Sequence, residues 1–243
     1  MRKLQGMTQR KTSAPKKRRA AKPLKVLCRD EREYVFEPAR TALLAIDMQR
    51  DFFGGDDDDG AGDEEQSSAM RDVVPKVAAL LAAARGAECH IFHTREGYAS
   101  DLSDVTAYRK SLGYVGREGP GGRFLIRGEW GHDFLDEVAP LAGEMVIDKP
   151  GFSAFYGSDL HARLQAAGID HLILCGVTTQ CCVHSTLREA VDLGYWCLTV
   201  ADCCAAEEPE LHDAALRLIT GEGDLFGWIA ELDGVLAATG TSV

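Results

Sequence analysis

No apolar run in the 243 residues approaches the ~20 that a transmembrane helix needs. The N-terminus also lacks the apolar stretch of a secretory leader. Both absences lead to the expectation of a soluble, cytoplasmic chain that does not engage a membrane. No Cys-x-x-Cys spacing occurs among the eight cysteines, which argues against a structural zinc site. With no leader, they are read as reduced thiols. The neighbouring pairs Cys181–Cys182 and Cys203–Cys204 suit a disulfide staple poorly.

Acids are missing from residues 1–27, which carry ten Lys or Arg. This span is expected to be a disordered basic tail, with a nuclear or organelle address as the sharper alternative. The remainder, 28–243, is expected to be a single domain. It holds 17 basic against 38 acidic side chains, a net of −21, and such a body repels nucleic acid. Residues 56–65, DDDDGAGDEE, place seven acids in ten positions. They lack the alternation and late Glu of an EF-hand, so they read as a solvated loop.

What is present is an alternation of strands and helices. TALLAID (41–47), ECHIFHT (88–94), EMVIDKP (144–150), HLILCG (171–176) and YWCLTVAD (195–202) read as buried strands. Helices are predicted over 68–86, 158–168, 182–194 and 209–220, with Ser158 as an N-cap and Gly86 and Gly168 as stops. Residues 97–140 read as irregular. The pattern predicts a three-layer α/β fold, a mostly parallel sheet of about six strands with helices on both faces. In such sheets ligands gather at the carboxyl ends of the strands. The positions to watch are Asp47, the 93–96 loop, Lys149, the 176–182 turn and Asp202.

A cysteine where HLILCG turns into the next helix meets backbone N–H groups and a positive dipole end, which favour a thiolate. Helix geometry alone leaves Cys181 and Cys182 both open. Asp47 and Lys149 end buried strands, where a charge is costly unless paired or used. A base, a cation and a nucleophile can therefore meet in one crevice. An Asp–Lys ion pair beside an inert buried thiol satisfies the same pattern.

Six segments carry a resemblance: AIDMQRDF (45–52), FHTREG (92–97), RGEWGHD (127–133), VIDKPGFSAFY (146–156), GVTTQCCVHSTLREA (176–190) and LTVADC (198–203). In this order and spacing they resemble the isochorismatase-like cysteine hydrolase superfamily, most of all its N-carbamoylsarcosine amidase, biuret and triuret hydrolase branch. The resemblance implies that Asp47 is the base, Lys149 the cation and Cys182 the nucleophile, with Cys181 a packed neighbour. It also implies a cis peptide between Val177 and Thr178 and an oxyanion hole from the backbone N–H groups of Thr178 and Cys182. Nicotinamidase relatives hold a metal through histidines shortly after the first strand, and no histidine lies between Asp47 and His90. No metal and no cofactor are therefore expected. Tyr98 stands where the branch commonly has His.

The implied activity is hydrolysis of a carbamoyl (ureido) amide in a small molecule through a thioester on Cys182, releasing ammonia. The family suggests a homo-oligomer, a dimer or tetramer. Glu96 and Gln180 are candidate polar contacts to substrate, Phe53, Phe155 and Tyr156 candidate walls, and Arg95 and Arg127 candidate carboxylate partners. His93 and His184 read as structural. The alternatives are a catalytically silent or redox-sensing protein of the same fold, and a nicotinamidase-like amidase.

Overall fold

A computed structural model describes residues 22–54 and 70–241. Most of the basic tail and the acidic stretch 56–65 lie outside the described residues. Strands β1 (Leu24–Leu27) and β2 (Glu33–Phe36) form an antiparallel hairpin. Strand β1 begins within the span expected to be tail. Alternate residues Val26, Tyr34 and Phe36 are buried, so the hairpin is an apolar cover rather than a solvated arm.

The central sheet comprises β3 (Thr41–Ile46), β4 (His90–Glu96), β7 (Met145–Lys149), β8 (His171–Val177), β9 (Trp196–Ala205) and β10 (Trp228–Ala230). Its order is β10-β9-β8-β3-β4-β7, and every pairing is parallel. The strands β5 (Glu118–Gly119) and β6 (Gly122–Arg123) make a separate small ribbon. The helices are α1 (Val74–Gly86), α2 (Ala107–Leu112), α3 (Leu160–Ala166), α4 (His184–Asp192), α5 (Pro209–Ile219), the short α6 (Gly221–Asp224) and α7 (Leu232–Thr239).

Along β3 the side chains alternate between two cores. Leu43 and Ala45 join one with residues of α1, α7 and the hairpin. Ala42, Leu44 and Ile46 join the other with residues of α3, α4 and α5. This period of two is why the central strands read as continuous apolar runs. Helix α1 carries Pro75 in its first turn, residues 70–71 are also helical, and the first two positions of the predicted 68–86 lie outside the described residues. Ser158 lies just outside α3, where its hydroxyl accepts the Leu160 N–H. Gly168 ends α3 in a left-handed conformation (φ 71°). Residues 97–140 are not wholly irregular. Thr106 caps α2 by accepting the Arg109 N–H, and Gly113 stops it at φ 74°.

Two features hold the sheet at its ends. Gly176 in β8 has φ 112°, and a Cβ there would lie 2.1 Å from the Ile46 carbonyl oxygen. Opposite, Glu144 accepts two bonds from Arg85 and pairs with His93 Nε2 at 2.9 Å. Burial pushes the Glu144 carboxyl up, but the hydrogen bonds from Arg85, the Leu141 N–H and His93 outweigh it and hold the pKa at about 2.

Two predictions follow from these ends. Gly176→Ala forces β3 and β8 apart and costs about 3 kcal/mol, lowering Tm by about 6–12 °C; a calorimetric shift under 2 °C contradicts the close approach. Glu144→Gln destabilises the protein at pH 7 by about 2 kcal/mol, after discounting for water at the pair. A depressed carboxylate pKa gives stability that is present above the unfolded value and lost as pH falls toward about 2. Urea unfolding of the two proteins should therefore converge between pH 4.5 and 2, and a gap constant with pH contradicts the assignment.

Candidate active site

Three chain segments bring their ends together at the carboxyl edge of the sheet. Strand β3 ends in Asp47, whose φ of 50° is left-handed and whose N–H donates to the Thr94 carbonyl. Asp tolerates this conformation better than most residues. It turns the carboxylate sideways toward β7, where Lys149 Nζ lies 2.7 Å from Asp47 Oδ2. Both side chains have no exposed surface. The Thr94 hydroxyl donates to Asp47 Oδ1 at 2.6 Å, and Lys149 donates to the Gly151 carbonyl at 2.7 Å.

The third segment is the turn after β8. The Val177–Thr178 peptide is cis. Residues 179–183 then form one wide π-turn, with the Cys181 and Val183 N–H groups both donating to the Thr178 carbonyl. His212 of α5 pairs with the Thr179 hydroxyl at 2.8 Å and pins the turn. Cys182 leads into α4, where the Thr186 hydroxyl donates to the Cys182 carbonyl and accepts the Ala154 N–H. The sulfur of Cys182, one oxygen of Asp47 and one of Glu96 all lie within 4.8 Å of one another. Cys182 retains 4% exposure.

Three acidic or thiol donors at this spacing resemble a metal site, but an ammonium already occupies the cation position. Lys149 Nζ is 2.7 Å from Asp47 and 3.7 Å from Glu96. Burial pushes the Lys149 ammonium down, yet the charges of Asp47, Cys182 and Glu96 raise its pKa above the ordinary value. The Cys182 thiol is raised by its hydrogen bond with the Cys181 sulfur, by burial and by the Asp47 charge, with Lys149 opposing.

Glu96 holds a more central place than a loop contact. It is buried at the end of β4, and its backbone is fixed by Gln49, which accepts the Glu96 N–H and donates to its carbonyl. Its Oε1 accepts from Arg109 Nη1 and from the Tyr98 hydroxyl, both at 2.7 Å. Its Oε2 faces the Cys182 sulfur at 3.8 Å. Tyr98, the departure from the branch pattern, is thus a donor to this carboxylate. Arg109 also donates to the Tyr114 hydroxyl and lies 4.0 Å over the Phe152 ring. Sequence reasoning missed Arg109, Tyr114 and Phe152. Only the Thr106 cap and Gly113 stop around Arg109 offered a signal.

Other candidates are placed elsewhere. Phe53 is buried in the same core cluster as residues of α1. Phe155 belongs to the opposite core and stacks on Tyr195. Tyr156 is largely exposed and lies against Gly151, beside the carbonyl that receives Lys149. Gln180 is exposed on the π-turn. Arg95 pairs with Asp148 and Asp133, and Arg127 with Asp104 and the Gly97 carbonyl, so both are spent away from Cys182. His93 is bonded to Glu144, and His184 lies in the first turn of α4. Asp202 caps α7 by accepting the Leu232 N–H.

Comparison with known proteins agrees with this architecture. The chain is 31% identical over 207 residues to the ureidoacrylate amidohydrolase RutB of Serratia proteamaculans, covering 82% of each chain. Among solved structures, a cysteine hydrolase from Pseudomonas syringae pv. phaseolicola matches with a TM-score of 0.74 at 24% identity, covering 88% of this chain and 97% of that one. N-carbamoylsarcosine amidase from Thermoplasma acidophilum matches with a TM-score of 0.62 at 22% identity, covering 80% and 97%. At those identities the two structures show a shared fold. Similar proteins from Pantoea ananatis (29% identical) and Stutzerimonas stutzeri (30% identical) are also named ureidoacrylate amidohydrolases. The model of the isochorismatase domain matches residues 41–233, most of the described chain and all of the site, and the protein belongs to the isochorismatase family.

Proposed function

We propose that the protein is a metal-independent amidohydrolase that cleaves a carbamoyl (ureido) C–N bond of a small molecule through a covalent intermediate on Cys182. The observation that carries this reading is the buried Asp47–Lys149 pair, 2.7 Å apart, with the Cys182 sulfur at the same point of the sheet edge. The relatives named for ureidoacrylate hydrolysis support the choice of a ureido group.

Asp47 takes the Cys182 proton, and the sulfur attacks the carbamoyl carbon. Lys149 keeps the pocket near charge balance as the thiolate forms, because the proton moves only from sulfur to carboxylate. The carbonyl oxygen rests on the backbone N–H groups of Thr178 and Cys182, where one such donor typically contributes ~2.7–4 kcal/mol. Asp47 returns the proton to the leaving nitrogen, and ammonia departs. Water then attacks the acyl–sulfur bond with Asp47 as base, releasing the acid and restoring the thiol.

Glu96 Oε2 is placed to accept an N–H of the bound ureido group, which buries several donors at once and leaves them costly if unpaired. Tyr98 and Arg109 hold that carboxylate in orientation.

An ammonia-release screen over ureido compounds, with Cys182→Ser as the blank, tests the reading. The native protein should release ammonia from at least one compound at more than about 1,000 times the blank's rate. Equal release from every compound overturns it. Asp47→Asn is expected to lose about as much activity as Cys182→Ser while keeping the fold, as measured by circular dichroism. An Asp47→Asn enzyme within tenfold of native contradicts the role of base.

A further inference from the structure

Glu96 is served unevenly. It is 2% exposed, and its two close donors, Arg109 Nη1 and the Tyr98 hydroxyl, both bind Oε1. Among the described residues Oε2 meets the Lys149 ammonium at 3.7 Å and the Cys182 sulfur at 3.8 Å, both longer than a charge-assisted hydrogen bond. A buried carboxylate kept for structure alone has both oxygens served. Asp47 repeats the pattern. The Thr94 hydroxyl binds its Oδ1, and no hydrogen bond is aligned on Oδ2, although Lys149 Nζ lies 2.7 Å away. One oxygen from each acid lies within 4.8 Å of the other and of Cys182 Sγ. Two acceptors that share a single water stand about 4.5 Å apart, since two bonds of ~2.8 Å meet there at a near-tetrahedral angle.

We propose that Glu96 is a catalytic residue of the second half-reaction, in which it and Asp47 together hold the water that hydrolyses the acyl–sulfur bond. This rests on the reading of Cys182 as a nucleophile that forms a thioester.

Acylation changes what Oε2 can find. Among the described residues, Cys182 Sγ is its hydrogen-bond donor. Once Sγ is bonded to the acyl carbon it has no hydrogen to give. When ammonia departs, its N–H groups go with it, and Oε2 becomes a buried acceptor that is costly to leave without a donor. The neighbouring polar groups are committed. The Gln49 amide serves the Glu96 backbone and the His132 carbonyl, and Lys149 serves Asp47 and the Gly151 carbonyl. A water entering the place of ammonia can donate to both acids.

Such a water directs one hydrogen to Oε2 and one to Asp47, which turns its lone pairs toward the acyl carbon, one bond from Sγ. Asp47 takes the proton it receives, the water oxygen bonds to the acyl carbon, and the C–S bond breaks. The sulfur leaves with the bonding pair and recovers the proton from Asp47. Glu96 gains and loses no proton, and it fixes the direction of attack. Arg109 and Tyr98, through Oε1, are positioning residues for this step.

Quenched-flow kinetics with a ureido substrate of the native protein separates the two half-reactions. Ammonia from the first turnover reports acylation, and the later steady rate includes hydrolysis of the thioester. In Glu96→Gln, Arg109 and Tyr98 hold the amide oxygen, so the amide NH2 faces the sulfur, a donor where an acceptor is needed. The first turnover should slow by less than about tenfold and the steady rate by about 100-fold. Ammonia should then appear as a burst of about one per chain, with the acyl adduct accumulating on Cys182. Hydroxylamine, a stronger nucleophile than water that needs no base, should restore much of the steady rate. Tyr98→Phe leaves the Glu96 charge in place and should show the same imbalance at about tenfold, so it carries the test if Glu96→Gln does not fold. Equal losses in both phases, with no burst and no effect of hydroxylamine, overturn the assignment, because Glu96 then serves only substrate binding or the fold. If the native protein releases ammonia from no ureido compound, the reading of Cys182 itself falls.

Discussion

A single ammonium, Lys149, organises the centre of this protein. It has no exposed surface and is held by Asp47, by the Gly151 carbonyl and, at longer range, by Glu96. A lone ammonium buried to this degree would lose its proton or unfold its surroundings. Here the neighbouring carboxylates keep it charged at the edge of the sheet. The neighbouring thiol sits in this balanced field. In the proposed mechanism the thiol proton moves to Asp47, a step that changes no net charge in a dry pocket.

That arrangement explains much of the local backbone. Asp47 adopts a left-handed conformation to turn its carboxylate toward β7. Gly176 lets β8 approach β3 closely enough for the next turn to reach the same point. The π-turn carries Cys182 to the mouth of the sheet, and α4 and α5 fix it through Thr186 and His212. The two cores on either face hold the strands in register, so that three distant segments deliver their end residues to one place.

The legible part of the fold was its periodicity. Continuous apolar strands separated by amphipathic helices announced a parallel sheet, and charged residues at strand ends marked Asp47 and Lys149 before any coordinate. Spacing alone left Cys181 and Cys182 equal; family likeness separated them. The hairpin β1–β2 and strand β10 escaped notice because runs of three or four residues carry too little pattern. Phe53 and Arg109 are hard to read from sequence in opposite ways. An aromatic ring just past a catalytic segment reads the same whether it faces a cleft or a core, and Phe53 is buried in the core. An arginine in a glycine-rich loop reads as solvated, yet Arg109 folds inward onto Glu96 because that buried carboxylate needs a counter-charge.

The central claim is that Cys182 becomes covalently bonded to the acyl group during turnover. The most direct measurement is the intact mass of the protein, acid-quenched within the first turnover with a ureido substrate, followed by peptide mapping. The account predicts a mass increase equal to the substrate less ammonia, mapped to Cys182 and decaying as the product acid appears. Turnover with no adduct at any quench time, or an adduct on another residue, would contradict it.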